Sequence, residues 1–312
     1  MKTRNLLSIT CCVILAALSL SCAQEEAAPR PGVFFDDFLY DDSTHIDDGG
    51  WLARTKPGIP GVVGASFGPQ GISFVDDPDR ASNRFLQLTS TTAGDAETTR
   101  QVQICQQRKF LEGTYAARVH FIDSPDSGPD GDQIVETFYT ISQMDEPSYS
   151  EADFEYLPNG GWGREEPTFW STTWAPWGRV RPMPEDAEHA HDNTSSQQEG
   201  SLEGWHVLLM QVVDGSVHYV LDGEPFATHG DGYAPTAPLS INFNLWFVEG
   251  GLLDSEEPRQ YVELVDWVFH EAGTVLTTEE VERRVADLRA NLVPWMDSVP
   301  AWDPPLPSLC DL

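Results

Sequence analysis

One stretch of the sequence, from Tyr149 to Gly163, reads YSEADFEYLPNGGWG and begins with the alternation of a β-strand. Side chains at successive strand positions point to opposite faces, so every second residue lies on the same side. One set is acidic and the other is apolar: Glu151, Asp153 and Glu155 against Ala152, Phe154 and Tyr156. The pattern predicts a strand with one face in a core and three carboxylates on the other face.

The acidic face has two interpretations. The chain has 50 acidic residues, so a solvated acidic face is the simpler one, although like charges on one face repel each other. Strand geometry favours a catalytic role for the acidic face, because a rise of about 3.3 Å per residue puts the Cα atoms of Glu151 and Glu155 about 13 Å apart. Side chains that lean inward would bring the carboxyl groups to about 5 Å, the separation of a retaining glycosidase pair. Aromatic side chains, on which sugar rings can stack, follow closely: Trp162, Phe169, Trp170, Trp174 and Trp177.

Short alternating runs, broken by Gly, Pro, Asn and Asp, continue on both sides of this stretch from Val33 to His270. Asp214–Gly215 and Asp222–Gly223 predict tight hairpin turns. No helical period occurs before about Thr277, so the fold class is all-β, a sandwich or a barrel. Six runs in particular predict strands: Phe85–Thr89, Thr114–Phe121, Val135–Ser142, Trp205–Val213, Ser216–Leu221 and Tyr261–Phe269.

Glu151-Ala-Asp153-Phe-Glu155 resembles the E-x-D-x-E signature of glycoside hydrolase family 16, the laminarinase, lichenase, agarase and carrageenase group. Further family-like segments occur in the same order, over about residues 33–270: FFDDF (34–38), KFLEGTYAARVHF (109–121), Trp205–His206 with YVLDG (219–223), INFNLWF (241–247) and VDWVF (265–269). Ala116 and Ala152 depart from the usual pattern, and the family core lacks residues 274–312. The resemblance implies a concanavalin A-like β-jelly-roll sandwich, here followed by a C-terminal helix and strap.

The resemblance also implies roles for individual residues. Glu151 would be the nucleophile, Glu155 the general acid and then base, and Asp153 the group that shares a proton with the nucleophile. No catalytic cofactor is expected, but one structural calcium near the chain ends would use Asp266 as a ligand. The expected substrate-binding residues are Trp162, Trp170, Trp174, Trp177, Asn244 and Trp246.

These residues predict an exported, retaining endo-β-glycanase, with a β-1,3- or β-1,3/1,4-glucan as the first substrate. A transglycosylase would have the same residues, and a lectin-like carbohydrate-binding protein without turnover is the non-enzymatic alternative. With 18 Lys and Arg against 50 Asp and Glu, the formal net charge is −32, which excludes binding to the nucleic-acid backbone and disfavours sulfated galactans. We expect a monomer whose partner is a polysaccharide.

The N-terminus predicts export. Lys2 and Arg4 precede an apolar run that is too short to span a bilayer comfortably, as in a signal peptide. Cleavage before Cys22 would give a lipoprotein at the outer membrane or cell surface, whereas cleavage after Ala23 would give a secreted or periplasmic protein. The expected domains are residues 1–21 (signal peptide), 22–32 (tether), 33–270 (catalytic jelly roll) and 271–312 (extension with one helix).

After export, Cys105 and Cys310 remain, and they would form one disulfide or stay as two buried thiols. Two acidic stretches, Asp123–Gln133 and Glu185–Gly200, predict a solvated turn and a surface loop; the second contains His189 and His191. The tail predicts a helix that begins at Thr277 or Thr278 and ends near Val293–Pro294. A Pro-rich strap, Pro300–Leu312, would follow it over the sandwich.

Overall fold

The computed structural model describes residues 32–143, 146–176, 180, 191–306, 308 and 310, all within the compact unit Pro31–Leu312. The predicted signal peptide, Cys22, Trp177 and His189 lie outside the described residues. Within them, no helix has the length and apolar character needed to cross a membrane.

β-Strands are the main regular structure of the described chain, as the alternating pattern predicts. Two 3₁₀ helices, Ser43–Gly49 and Pro69–Gly71, and one α-helix, α1 (Thr278–Ala290), accompany them in the described part. The strands are β1 (Val33–Asp36), β2 (Leu52–Ala53), β3 (Ser66–Phe67), β4 (Ile72–Asp76), β5 (Arg84–Thr92), β6 (Arg100–Cys105), β7 (Gly113–Phe121), β8 (Ile134–Ile141), β9 (Glu151–Leu157), β10 (Thr168–Pro176), β11 (His191–Glu199), β12 (Gly204–Val213), β13 (Ser216–Leu221), β14 (Glu224–His229), β15 (Ser240–Phe247), β16 (Arg259–Ala272) and β17 (Trp295–Asp297).

The strands form two layers whose pairs are antiparallel, except that the short β3 pairs with β6 in parallel. The first, which we call the cleft sheet, has the order β2-β6-β15-β8-β9-β10-β11. The second, the outer sheet, has the order β4-β5-β16-β7-β12-β13-β14, with β1 pairing with the end of β16 and with β17. The arrangement is a β-jelly-roll sandwich, and the predicted all-β fold class is confirmed.

Aromatic side chains fill the space between the two sheets. Phe154 stacks on Phe138 and on Phe169, with ring centroids 6.4 and 5.6 Å apart, and Tyr219 of the outer sheet meets Phe154 edge-on at 5.1 Å. All three predicted core residues of β9 (Ala152, Phe154 and Tyr156) are fully buried. Burial of one face of β9 therefore leaves its carboxylates on the face that looks away from the core.

The predicted hairpins and the tail helix are present. Asp214, Gly215, Asp222 and Gly223 all have positive φ angles, between 49° and 84°, as tight hairpin turns require. Thr277 is the N-cap of α1 and forms a capping box with Glu280. The helix ends at Ala290, three residues before the predicted end at Val293.

The tail lies against the outer sheet and then returns to the cleft sheet. Val281 and Val285 of α1 are buried in a cluster with Trp267 and Phe269 of β16. Farther on, Cys310 is bonded to Cys105 at the end of β6, with the two Cα atoms 5.3 Å apart. The extension is thus held to both layers of the sandwich.

Both acidic stretches differ from their predicted form. Nine residues of the predicted loop Glu185–Gly200 form strand β11, which pairs with β10 along its whole length. In the predicted solvated turn, Asp132 is fully buried and accepts two hydrogen bonds of 2.8 Å from the guanidinium of Arg259. That partner lies 127 residues away in the sequence, so local composition does not reveal it.

Candidate active site

The face of β9 that looks away from the core continues across its neighbours as three cross-strand rows. Strand β10 places a side chain beside each carboxylate of β9, and β11 adds a polar side chain to each row. Such directly opposed side chains lie about 5 Å apart at Cβ. The rows are Glu151–Trp174–Asn193, Asp153–Thr172–Ser195 and Glu155–Trp170–Gln197.

Glu151 and Glu155 open into one cavity of about 520 Å³. Four of the predicted aromatic residues line it, namely Trp162, Trp170, Trp174 and Trp246. Trp162 is 43 % exposed and lies within 6.5 Å of the rings of both Trp170 and Trp246. The cavity combines apolar ring faces with carboxyl and amide groups, the composition that a sugar chain requires of its binding site.

Sequence reasoning missed several residues of this cavity. Thr172, Asn193 and Ser195 come from β10 and β11, and the alternating pattern would have placed Thr172 on the cavity face. The other newly found residues are Tyr149, His191, Ile59 and Pro60.

Ile59 and Pro60 form part of the cavity wall on a loop that precedes β3, and a buried arginine holds that loop. Arg54 is fully buried, and its Nη2 donates to the carbonyl oxygen of Ile59 at 3.1 Å while its Nη1 donates to Gln103 at 3.1 Å. The Ile59 side chain remains 64 % exposed. The buried guanidinium of Arg54 thus fixes the loop that carries the exposed apolar side chain of Ile59 in the wall of the carboxylate cavity.

Burial dominates the electrostatics of the three carboxylates. It raises the pKa of Glu151 to about 7, against hydrogen bonds from Tyr149 and with Asp153 that lower it. Burial, followed by the negative charge of Glu151, raises the pKa of Glu155 to about 8. Burial, followed by the charges of Glu151 and Glu155, raises the pKa of Asp153 well above its ordinary value, which favours protonated Asp153 beside an ionised Glu151.

One predicted binding residue does not reach the cavity wall. Asn244 is buried beneath it in β15, where its Oδ1 accepts a hydrogen bond of 2.5 Å from Thr137. Its amide nitrogen donates to the hydroxyl of Tyr139 at 3.4 Å. The expectation that Asn244 contacts substrate is therefore corrected, because its polar atoms are engaged within the sheet.

The residues around Asp266 do not fit the expected calcium site. The Asp266 carboxylate is 2 % exposed and accepts hydrogen bonds from two guanidinium groups, those of Arg289 at 2.7 Å and Arg118 at 2.8 Å. Asn83 donates to it at 2.8 Å. Calcium requires a shell of oxygen ligands, whereas these groups are donors and two of them are cations. We derive no role for a metal at Asp266.

Comparison with known proteins places the fold. No family model matches the sequence, and no curated protein sequence matches it. Solved structures do match. A glycoside hydrolase family 16 endo-glucanase from Bacteroides ovatus has a TM-score of 0.56 and 16 % identity, and the match covers 75 % of this chain and 98 % of that one. A β-glucanase from Bacillus licheniformis has a TM-score of 0.53 and 14 % identity, with coverage of 77 % and 97 %. The structure of LamA from Zobellia galactanivorans with laminaritriose and laminaritetraose matches with a TM-score of 0.56, 13 % identity and coverage of 77 % and 98 %.

The described chain therefore has the jelly-roll fold of glycoside hydrolase family 16 endo-glucanases. At these identities the likeness concerns the fold, and the chemistry must be argued from the site itself.

Proposed function

We propose that this protein is a retaining endo-β-glycanase that cleaves a β-1,3- or β-1,3/1,4-glucan. The observation that carries the proposal is the position of Glu151 and Glu155, which lie on the same face of β9 and open into one cavity lined by four tryptophans. Solved structures with the same fold include endo-glucanases and laminarinases, which supports this choice of substrate.

The reaction follows from the different states of the two glutamates. Ionised Glu151 attacks the anomeric carbon and forms a glycosyl ester, while Glu155 gives its proton to the departing glycosidic oxygen. Water then attacks the same carbon and passes a proton to Glu155, and the bond to Glu151 breaks. Asp153, whose pKa burial raises well above its ordinary value, can donate a hydrogen bond to Glu151 while it is protonated.

The shape and charge of the cavity support a neutral polysaccharide. Tryptophan faces suit the apolar faces of sugar rings, and Asn193, Ser195 and Thr172 offer hydrogen-bond partners for hydroxyl groups. The formal net charge of −32 repels a sulfated chain.

The test is hydrolysis by wild type and by Glu151→Gln. Wild type should release reducing ends from laminarin or lichenan rather than from agarose or xyloglucan. Glu151→Gln should reduce the rate by more than about 10³-fold, because the amide cannot attack, without loss of the fold. Proton NMR of the first product should show the β anomer, since two successive displacements retain configuration.

Two results would contradict the proposal. A Glu151→Gln variant that keeps more than a few per cent of the rate would exclude Glu151 as the nucleophile. A first product with the α configuration would exclude double displacement. Binding of laminarin without any turnover would instead favour a lectin-like protein.

We also propose that the protein is exported and anchored through a lipid on Cys22, on the basis of the apolar N-terminal run before that cysteine. Cys22 lies outside the described residues, so the support is the sequence alone. Cell fractionation provides the test: wild type should be found with membranes, and Cys22→Ser should be soluble. A wild type found only in the soluble fraction would contradict the lipid anchor.

A further inference from the structure

Tyr149 occupies a special position relative to the proposed nucleophile. It precedes Glu151 by two residues and therefore continues the same face of the strand, although β9 itself begins at Glu151. Its hydroxyl donates a hydrogen bond to Oε2 of Glu151. Tyr149 itself is buried, with 2 % of its surface exposed.

The backbone and ring of Tyr149 are fixed from several sides. Its N–H donates a hydrogen bond to the carbonyl oxygen of Glu146 at 3.0 Å. The N–H of the next residue, Ser150, donates to Oγ of Ser142, and the N–H of Ser142 donates to the carbonyl oxygen of Ser150, both at 2.8 Å. The ring stacks on that of His191 with centroids 4.0 Å apart and an angle of 28° between planes. The donor is thus held in place before any substrate arrives.

We propose that Tyr149 is a positioning residue: its hydroxyl holds Oε2 of Glu151 so that Oε1 is left to attack, and the stack on His191 holds Tyr149. This inference rests on the proposed function of Glu151. No proton leaves Tyr149 in the reaction. The hydrogen bond favours the carboxylate over its neutral acid or its ester, so it keeps Glu151 ionised for the first displacement and stabilises it as the leaving group of the second.

The charge state of the phenol is compatible with this role. Burial, followed by the charge of Glu151, raises the pKa of Tyr149 far above its ordinary value, so it remains a donor at any working pH. Loss of the donor would raise the pKa of Glu151, because its hydrogen bond lowers that pKa. Among the described residues, the other titratable groups around Glu151 are Asp153 and Glu155 on β9, Tyr139 on β8, His191 on β11 and Tyr219 on β13.

The decisive experiment is the pH profile of kcat/KM for Tyr149→Phe. Its acid limb should move up by about one to two pH units, the size expected when a hydrogen bond to a charged group is lost. At pH 5 its rate should be at least about tenfold below that of wild type. Tyr156→Phe is the matched control, because Tyr156 also bonds a carboxylate, that of Asp123, but lies on the core face of β9. Its acid limb should coincide with that of wild type.

His191 provides a second variant should Tyr149→Phe fail to fold. His191→Ala removes the stack and keeps the hydroxyl, and its acid limb should move in the same direction by less. His191→Phe keeps a ring and should keep the wild-type limb. An unchanged acid limb in folded Tyr149→Phe, or in His191→Ala when Tyr149→Phe does not fold, would overturn the inference. If Glu151→Gln were active, the proposed function itself would fail, which is a separate result.

Discussion

Glu151 and Glu155 are the same amino acid in the same cavity, but their contacts differ. Tyr149 and Asp153 hydrogen-bond to Glu151 and lower a pKa that burial raises. For Glu155, burial and the charge of Glu151 both act to raise the pKa. The environment therefore makes Glu151 ionise first and keeps the proton on Glu155, which is the division of labour that a nucleophile and a general acid need.

The activity should have a bell-shaped dependence on pH. As pH falls through about 7, Glu151 gains a proton and can no longer attack; as pH rises through about 8, Glu155 loses the proton that the leaving group needs. We expect maximal kcat between these values. The measurement is the initial rate on a soluble glucan from pH 4 to pH 10.

Glu155→Gln separates the two limbs. With an aryl β-glycoside whose leaving group needs no protonation, this variant should keep the acid limb and lose the alkaline one. An alkaline limb that survives in Glu155→Gln would assign it to another group and contradict the role of Glu155.

At the scale of the element, β9 and β11 show what sequence patterns can predict. In β9 the apolar and acidic residues alternate, so both the strand and its two faces follow from the sequence. Strand β11, which reads HDNTSSQQE, has no apolar residue, and it lies at the rim of the cleft sheet, where only β10 pairs with it among the described strands. A polar rim strand has no hydrophobic period to detect, so composition alone predicts a loop.

The same limit applies to individual site residues. Tyr149 lies on the alternating series of β9, so that spacing would have placed it beside Glu151. His191 and Ile59 reach the cavity from distant parts of the chain, and the buried contact between Asp132 and Arg259 joins residues far apart in sequence. Such juxtapositions depend on strand order, which short-range periodicity does not contain.

One polar side chain of helix α1, Arg289, should contribute strongly to the stability of the fold. Arg289 donates from its Nη2 to Asp266 at 2.7 Å and from its Nε to Asp37 at 2.7 Å, and both carboxylates are at most 3 % exposed. Arg289→Gln would leave the buried Asp37 carboxylate without its hydrogen-bonded cation and Asp266 with that of Arg118 alone. We expect the free energy of unfolding to fall by about 3–5 kcal/mol, measured by urea denaturation.

Arg283→Gln is the matched control on the same helix. Arg283 pairs with Glu279 at the surface, at 2.8 Å, and exposed pairs contribute about 0–1 kcal/mol. Calcium at millimolar concentration should leave wild type unchanged, since guanidinium groups already occupy Asp266. Equal stability of Arg289→Gln and Arg283→Gln, or a large loss of wild-type stability with EDTA, would contradict this account.

For the described molecule as a whole, the first strand and the C-terminal extension are tied to the sandwich. Strand β1 lies between β16 and β17, and the disulfide joins residues 205 apart in sequence. Closure of so long a loop stabilises by up to about 5 kcal/mol on the chain-entropy model, although measured values often fall short. The extension beyond residue 270 is thus part of the folded body rather than an appendage.

The whole molecule also has an excess of acidic residues over basic ones, and some of these acidic residues are buried between the sheets. Glu136 on β8 and Glu263 on β16 are fully buried, and both oxygens of Glu263 lack a hydrogen-bond partner among the described residues. Burial raises the pKa of both glutamates well above its ordinary value. For Glu136, the negative charges of Glu263 and Asp123 raise the pKa further. Burial therefore favours the neutral acid of both glutamates in the folded protein.

This burial should make the protein less stable as pH rises. Above pH 4.5 an unfolded glutamate has lost its proton while the folded one keeps it, so folding takes up protons, and the free energy of unfolding falls by up to about 1.4 kcal/mol per pH unit for each such group. The loss continues until pH exceeds the pKa in the folded state.

Glu263→Gln removes one of these groups with almost no change of shape, so it should be more stable than wild type at pH 8 and should have a shallower slope from pH 5 to 8. Glu282→Gln makes the same chemical change at an exposed position of α1 and corrects for repulsion across a molecule of net charge −32. Urea denaturation at each pH, with and without 0.5 M NaCl, separates the two effects, because salt screens surface repulsion and not a buried pair. If Glu263→Gln and Glu282→Gln had the same slope, the pH dependence would come from surface charge, and the buried pair would have no measurable part in it.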